Sequence, residues 1–436
     1  MGRVMRVLLA GAALQGASCS TLSSRIVSDP APAVARLRAG GSLEDEVDRL
    51  ALPLVDSGEL CGVAVGVLAP DMRPQVFGYG ATEQPSNRAT EQPSNRATEQ
   101  PSNRATEQPS NRAMGSPPQG DTIFQIGSVS KLFLNALLAK LIAEQKLSYD
   151  DTVRSIIPAN IPLSKDAGAL TIYELATNTG GLPRQHNDFT QLRYFISYLL
   201  TGQNLYGCIT KDSLYNYLKK YKRHRKKKHG YVYSNLGNGL LTHLIELKTG
   251  RSISKLLQEK VCRPLGLRDT VLHLNLEQRS RLATGHPGDQ PKFKSRRTPM
   301  KPWDMGEILG ASCGLHSTAN ELLLFARANL GQKNHPLEPH LLSLQRFQVR
   351  SSDEEHGIGW SIQHLHEGQE ALIYKQGMVS GYSAYIGLNA RHQIAVVVLY
   401  NNFFWREKIG HNLLLRILEA RSAKHSVGIS SPPSLE

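Results

Sequence analysis

No stretch of this chain approaches the ~20 uninterrupted apolar residues that a membrane-spanning helix needs, which excludes an internal membrane span. Cysteine is scarce, with five in 436 residues. There is no Cys-x-x-Cys pair and no clustered histidine, so zinc-ligand spacing is missing. No metal or cofactor is expected. Cys61, Cys208, Cys262 and Cys313 have no spacing that pairs them, and buried free thiols are the simplest expectation. Acidic residues are outnumbered, 37 against 51 Lys and Arg, giving a formal charge of +14. Because no aromatic-interleaved basic patch or known binding motif accompanies that excess, nucleic acid is not an expected partner. What the chain does have is 40% apolar content over 436 residues, enough for one or two domains with sizeable cores.

Organisation is legible along the chain. Arg3 and Arg6 precede the short apolar run Val7 to Leu14, then small residues up to Cys19, in the manner of a secretory leader. Gly16-Ala-Ser-Cys19 partly resembles a bacterial lipoprotein cleavage box, with Gly16 where Leu is usual. Residues 1–19 are read as a signal or lipoprotein-type leader, 20–42 as a linker, 43–420 as the catalytic domain and 421–436 as a disordered tail. The expected location is outside the cytoplasm, in the bacterial periplasm or cell envelope, free or lipid-anchored.

Two insertions interrupt the domain. Residues 81–112 are four exact copies of Ala-Thr-Glu-Gln-Pro-Ser-Asn-Arg, polar and Pro-containing, with no apolar anchor for a core of its own. They read as a surface loop grown by tandem duplication. Residues 219–229 hold eight Lys and Arg; they read as a solvated charge run or as a contact to an anionic envelope surface.

The chemistry is concentrated in Phe124-Gln-Ile-Gly-Ser128-Val-Ser-Lys131. A strand-like segment there gives way to a long apolar-periodic helix. Ser128 and Lys131 would share one face about a turn apart, so an amine can serve the hydroxyl of an activated serine. A second Ser-x-x-Lys, Ser252 to Lys255, follows Gly250 and opens another helix, where Ser252 reads as an N-cap. Tyr233-Ser-Asn235 lies about a hundred residues after Ser128. Lys375-Gln-Gly377 sits between two strand-like segments near the C-terminus, on an expected edge strand. A literal Lys248-Thr249-Gly250 ends a helical run instead, as a last-turn charge and a C-cap glycine.

These three elements, in this order, resemble the class C β-lactamase and low-molecular-weight penicillin-binding protein family. Supporting stretches are Cys61 to Leu68, Leu175 to Pro183, Tyr231 to Gly237, Pro264 to Thr270 and Gly314 to Thr318. The run Leu175-Ala-Thr-Asn-Thr-Gly-Gly-Leu-Pro-Arg184 is most similar to the D-alanyl-D-alanine carboxypeptidase/endopeptidase branch. The resemblance implies an α/β (α+β) fold of the β-lactamase/transpeptidase type. Its antiparallel sheet would be built from both chain ends and flanked by helices, with an all-helical subdomain and the serine at the junction.

The resemblance also implies acyl transfer through an acyl-enzyme on Ser128. Lys131 and Tyr233 are both candidates for taking the serine proton, and partial burial and Lys375 are expected to lower the Lys131 pKa. By the family's pattern Asn235 positions substrate amides, Lys375 supplies charge to a substrate carboxylate, and backbone N–H groups of Ser128 and Met378 form the oxyanion hole. Gln376 stands where β-lactamases commonly have Thr or Ser, beside Gly377, which disfavours efficient β-lactam hydrolysis. Asn178-Thr179-Gly180 replaces the usual His-Thr-Ser, a change expected to touch the scaffold more than the chemistry. The expected partner is a peptidoglycan peptide or a β-lactam. The readings are a D,D-peptidase, a β-lactamase or small-ester esterase, and a non-catalytic envelope scaffold.

Overall fold

A computed structural model describes residues 42–83, 115–185, 189–223, 230–291, 293–332, 334–352, 354–365, 370–404 and 409–427. The leader, most of the linker, most of the octapeptide repeats and the C-terminal residues 428–436 lie outside the described residues.

The sheet is woven from both ends of the chain. Strands β1 (Gly62–Leu68) and β2 (Gln75–Gly80) come from the N-terminal part. From the C-terminal part come β5 (Val349–Arg350), β6 (Glu355–His356), β7 (Ser361–Leu365), β8 (Glu370–Val379), β9 (Tyr382–Asn389) and β10 (Ile394–Tyr400). They pair antiparallel in the order β2-β1-β10-β9-β8-β7-β6-β5.

The near-continuous apolar runs of β1 and β10 follow from burial on both faces. Val63, Val65, Val396 and Val398 point into one core layer, whereas Ala64, Leu68, Ala395 and Val397 point into the other. The first layer is closed by α1 (Leu43–Asp56) and the long C-terminal helix Gly410–Val427, with Val47, Leu413 and Leu414 buried in it. That closing helix runs past the expected end of the domain: residues 421–427 are helical, not tail.

The second layer holds the helical region. Its central element is α2 (Ser130–Ala143), buried on nearly every side as a predominantly apolar helix must be, with Phe133 stacked on Phe325 at 4.1 Å between centroids. Around it pack α3 (Asn235–Thr249), α4 (Gly306–Cys313) and α5 (Ala319–Asn329), which carries Phe325. The C-terminal Gly410–Val427 helix is α6. Helix α3 ends at Gly250 in the left-handed region (φ 64), the C-cap expected of Lys248-Thr249-Gly250.

Three smaller expectations change. Ser252 stands at a helix N-cap position, but its hydroxyl makes no capping bond; Glu246 Oε1 accepts from the Ile253 N–H instead. The repeat insertion begins inside the fold, since Ala81 is buried and its N–H donates to Cys61 O at 2.8 Å. The basic insertion also starts later than expected. Lys219 and Lys220 end the helix Lys211–Lys220, and Arg223 pairs with Glu174 at 2.9 Å; residues 224–229 lie outside the described residues. Cys61, Cys208, Cys262 and Cys313 form no disulfide among the described residues, and Cys208 is only half-buried. No helix among the described residues is long and apolar enough to cross a membrane.

Candidate active site

Two short strands set the position of Ser128. β3 (Phe124–Gln125) pairs antiparallel with β4 (His316–Ser317), and Ile126 N donates to Leu315 O at 2.9 Å. Ser130 Oγ accepts from Leu315 N at 3.1 Å. The segments carrying Ser128 and Cys313 are thereby pinned together. Ser128 itself sits in a 3-10 turn, Gly127–Val129, that leads into α2.

Two glycines let this turn touch β8. Gly127 has φ 52, and a Cβ there would fall 2.6 Å from Met378 N. A Cβ on Gly377 would lie 2.1 Å from Ile126 O and 2.9 Å from Ser128 N. The backbones of Ser128 and Met378 can meet only because neither glycine carries a side chain.

Tyr233 is clamped through its neighbours. Asn178, held at φ 57, accepts from Val232 N through its carbonyl at 2.9 Å and from Ser234 N through Oδ1 at 3.1 Å. Ser234 Oγ accepts from Gly237 N and so caps α3. Asn178 therefore acts on the scaffold, as its departure from His-Thr-Ser led us to expect.

These constraints bring the predicted residues together. The Tyr233 hydroxyl donates to Ser128 Oγ at 2.7 Å. Lys131 Nζ has four acceptors in reach: Asn235 Oδ1 at 3.0 Å, Ser312 O at 3.1 Å, Ser128 Oγ at 3.2 Å and Cys313 Sγ at 3.2 Å. Three cations surround the Tyr233 ring, Lys131 and Lys375 each at 5.1 Å from its centroid and Arg184 at 5.7 Å.

The protonation of Lys131 differs from expectation. Burial favours the neutral amine, but the charges that Cys313 and Tyr233 can carry, with their hydrogen bonds, outweigh it and hold the amine above the ordinary lysine range. The expectation from Lys375 and burial omitted Cys313, which arrives from a helix far away in sequence. An ammonium also matches its acceptor-rich surroundings.

Asn235 is tied to the lysine. It is 2% exposed, its Oδ1 accepts from Lys131, and its Nδ2 donates to Tyr206 OH at 3.3 Å. It fixes Lys131.

The edge-strand expectation for Lys375 is half right. β8 is an interior strand over Glu370–Tyr374, paired with β7, but from Lys375 onward it pairs with β9 alone. The open edge faces Ser128. The cleft along it is lined by Ser128, Tyr233, Lys375, Gln376 and Met378, as the motifs led us to expect. It is also lined by Arg184, Tyr231, Glu354, His356, Ser361 and Tyr374. Arg184 ends a stretch already singled out, and Cys313 adjoins another, so both had a signal. His356 comes from a two-residue strand and Glu354 from the residue before it, and neither had a signal.

Comparison with known proteins gives the family and the fold. The Beta-lactamase family model matches residues 47–419, and the chain belongs to that family of serine hydrolases. The D-alanyl-D-alanine carboxypeptidase/endopeptidase AmpH of Escherichia coli K12 is 24% identical over 299 residues, 65% of this chain and 71% of AmpH. A β-lactamase of Pseudomonas fluorescens is 23% identical over 405 residues, 84% of this chain and 97% of that protein.

Among solved structures, a class C β-lactamase from Rhodobacter sphaeroides superposes with a TM-score of 0.66 at 20% identity, covering 86% of this chain and 99% of that one. The D-alanine carboxypeptidase AmpC from Burkholderia cenocepacia gives 0.63 at 21% identity, covering 85% and 98%. At these identities the superpositions establish the β-lactamase/transpeptidase fold.

Proposed function

We propose that the protein is a D,D-carboxypeptidase/endopeptidase that cleaves peptidoglycan stem peptides through an acyl-enzyme on Ser128, and that it is acylated by penicillins. The observation that carries this reading is Ser128 Oγ held between Tyr233 OH and Lys131 Nζ, beside the backbone of Met378.

Ser128 Oγ attacks the carbonyl carbon, and the oxyanion that forms is held by the N–H groups of Ser128 and Met378. With Lys131 an ammonium, the base is Tyr233 in its phenolate form, its own proton given up to solvent, and that oxygen takes the serine proton as the C–O bond forms. Lys131, Lys375 and Arg184 lie around the ring where they stabilise the phenolate before the proton arrives. Tyr233 then protonates the leaving amine as the C–N bond breaks. Water attacks the ester, releasing the acid and restoring the serine hydroxyl. Lys375 receives the carboxylate of the leaving residue.

Gln376 and the kinship with AmpH favour the peptidase over the β-lactamase. Gln376 lacks the short hydroxyl that would hold a β-lactam carboxylate at that point. The secretory-type leader fits a substrate in the cell envelope, and the basic run at 219–229 is proposed to meet an anionic envelope surface.

The test is release of D-alanine from Nα,Nε-diacetyl-L-Lys-D-Ala-D-Ala. Release that is lost in Ser128→Ala supports the proposal. Absence of release together with fast nitrocefin hydrolysis would replace it with a β-lactamase.

A further inference from the structure

The cleft is not uniformly cationic. Its end wall is formed where β7 and β6 stop beside β8, with His356 opposite Ser361 and Ser361 opposite Tyr374. Glu354 stands in that wall and is the single carboxylate among the described residues lining the cleft. The Tyr374 hydroxyl donates to Glu354 Oε1. This neutral donor orients the carboxylate without cancelling its charge, and the carboxylate makes no ion pair among the described residues.

The neighbouring imidazole does not cancel it either. Burial, and then the charge of Lys375, push His356 down to about 3, so it is neutral at physiological pH. It stacks flat on Tyr231, with ring centroids 3.8 Å apart and planes 7° apart, as an uncharged wall.

Position along β8 gives this wall a direction. Met378 lies at the proposed oxyanion site, Lys375 is three residues back toward the N-terminal end of the strand, and Tyr374 is one further. At strand rise, Tyr374 is roughly 13 Å from Met378. A substrate laid along the open edge would meet the oxyanion donors first, then a cation, then an anion. The anion thus falls on the leaving-group side.

We propose that Glu354 forms a subsite for a cationic amine carried by the leaving amino acid, so that the enzyme prefers leaving groups bearing both a carboxylate and a side-chain ammonium. This inference rests on the acyl-transfer reading above and specifies its substrate. Glu354 is a specificity residue, with Tyr374 positioning its carboxylate.

The experiment compares kcat/KM for two peptides that share one acyl part, Nα,Nε-diacetyl-L-Lys-D-Ala-D-Lys and Nα,Nε-diacetyl-L-Lys-D-Ala-D-Ala. The expected result is a preference of about five- to tenfold for the D-Lys peptide, as for one partly shielded ion pair. The ratio should fall to about one in Glu354→Gln and be partly kept in Tyr374→Phe, which retains the carboxylate. Reading a ratio within each variant makes the result independent of how much folded enzyme each yields. Equal turnover of both peptides by the wild type, or an unchanged ratio in Glu354→Gln, overturns the subsite and leaves acyl transfer standing. Turnover of neither peptide, with no penicillin adduct, overturns the underlying reading instead.

Discussion

Lys131 Nζ donates to Asn235 Oδ1 at 3.0 Å, and the same amide passes its Nδ2 hydrogen to Tyr206. One side chain thus orients the ammonium from α3, while the serine hangs from the turn before α2. Asn235→Leu removes an acceptor from a buried cation. It is expected to cost about 1–3 kcal/mol of stability and to slow penicillin acylation roughly 100-fold by freeing Lys131. Stopped-flow acylation and thermal melting of the variant check both numbers.

The two glycines at the turn–strand contact make a sharper demand. A methyl group on Gly377 would collide with Ile126 O and Ser128 N, so Gly377→Ala must push β8 away from the oxyanion position. Losing the geometry of one such donor costs on the order of 10²–10³ in rate. Pre-steady-state acylation should show that loss while the far-UV circular dichroism remains that of the wild type. Wild-type acylation by Gly377→Ala would mean that Met378 does not contribute to the oxyanion hole.

Much of this site was written in local sequence. Ser128 with Lys131, Tyr233 with Asn235, and Lys375 with Gly377 each sit within four residues of a partner, and a helix or strand fixes their relative direction. The double burial of β1 and β10 was equally legible, as apolar runs bounded by polar turns. What could not be read came from distant segments meeting in space. Cys313 reaches Lys131 through the β3–β4 pairing, and its effect reversed the expected protonation of the lysine. His356 occupies a strand too short to have a period and Glu354 immediately precedes it, and their place at the cleft follows from where β7 ends. The last helix was cut short at residue 420 because its final two turns are polar and carry no apolar stripe.

Buried histidines set the acid stability. Burial lowers His286, His316 and His411 to about 4 from an ordinary 6.5. Their folded pKa values lie below the unfolded one, so the unfolded chain binds the extra protons. The stability they contribute is fully present above pH 6.5 and is lost as pH falls toward 4, at about 1.4 kcal/mol per pH unit for each histidine. The melting temperature should therefore drop by about 5 °C or more between pH 7.5 and 5. The drop should shrink in His411→Gln, and equal melting temperatures at the two pH values would contradict this account.

The repeats tell us about tolerance. Thr82 N donates to Ser116 O at 3.0 Å, so the chain leaves the sheet and returns at one point. Loop-closure entropy changes by only about 0.6 kcal/mol for each doubling of length. Deleting three of the four copies is expected to leave peptide turnover unchanged and to move the melting temperature by no more than about 2 °C. Kinetics of the shortened protein check this; a changed kcat/KM would show that the copies act on substrate entry.

The most direct test of the whole account is intact-mass spectrometry of the purified protein incubated with a fluorescent penicillin and followed over time. The account predicts a single adduct of the intact drug, mapped to the peptide containing Ser128, persisting for many minutes and missing in Ser128→Ala. An adduct that survives in Ser128→Ala, or the lack of any adduct on the wild type, would contradict it.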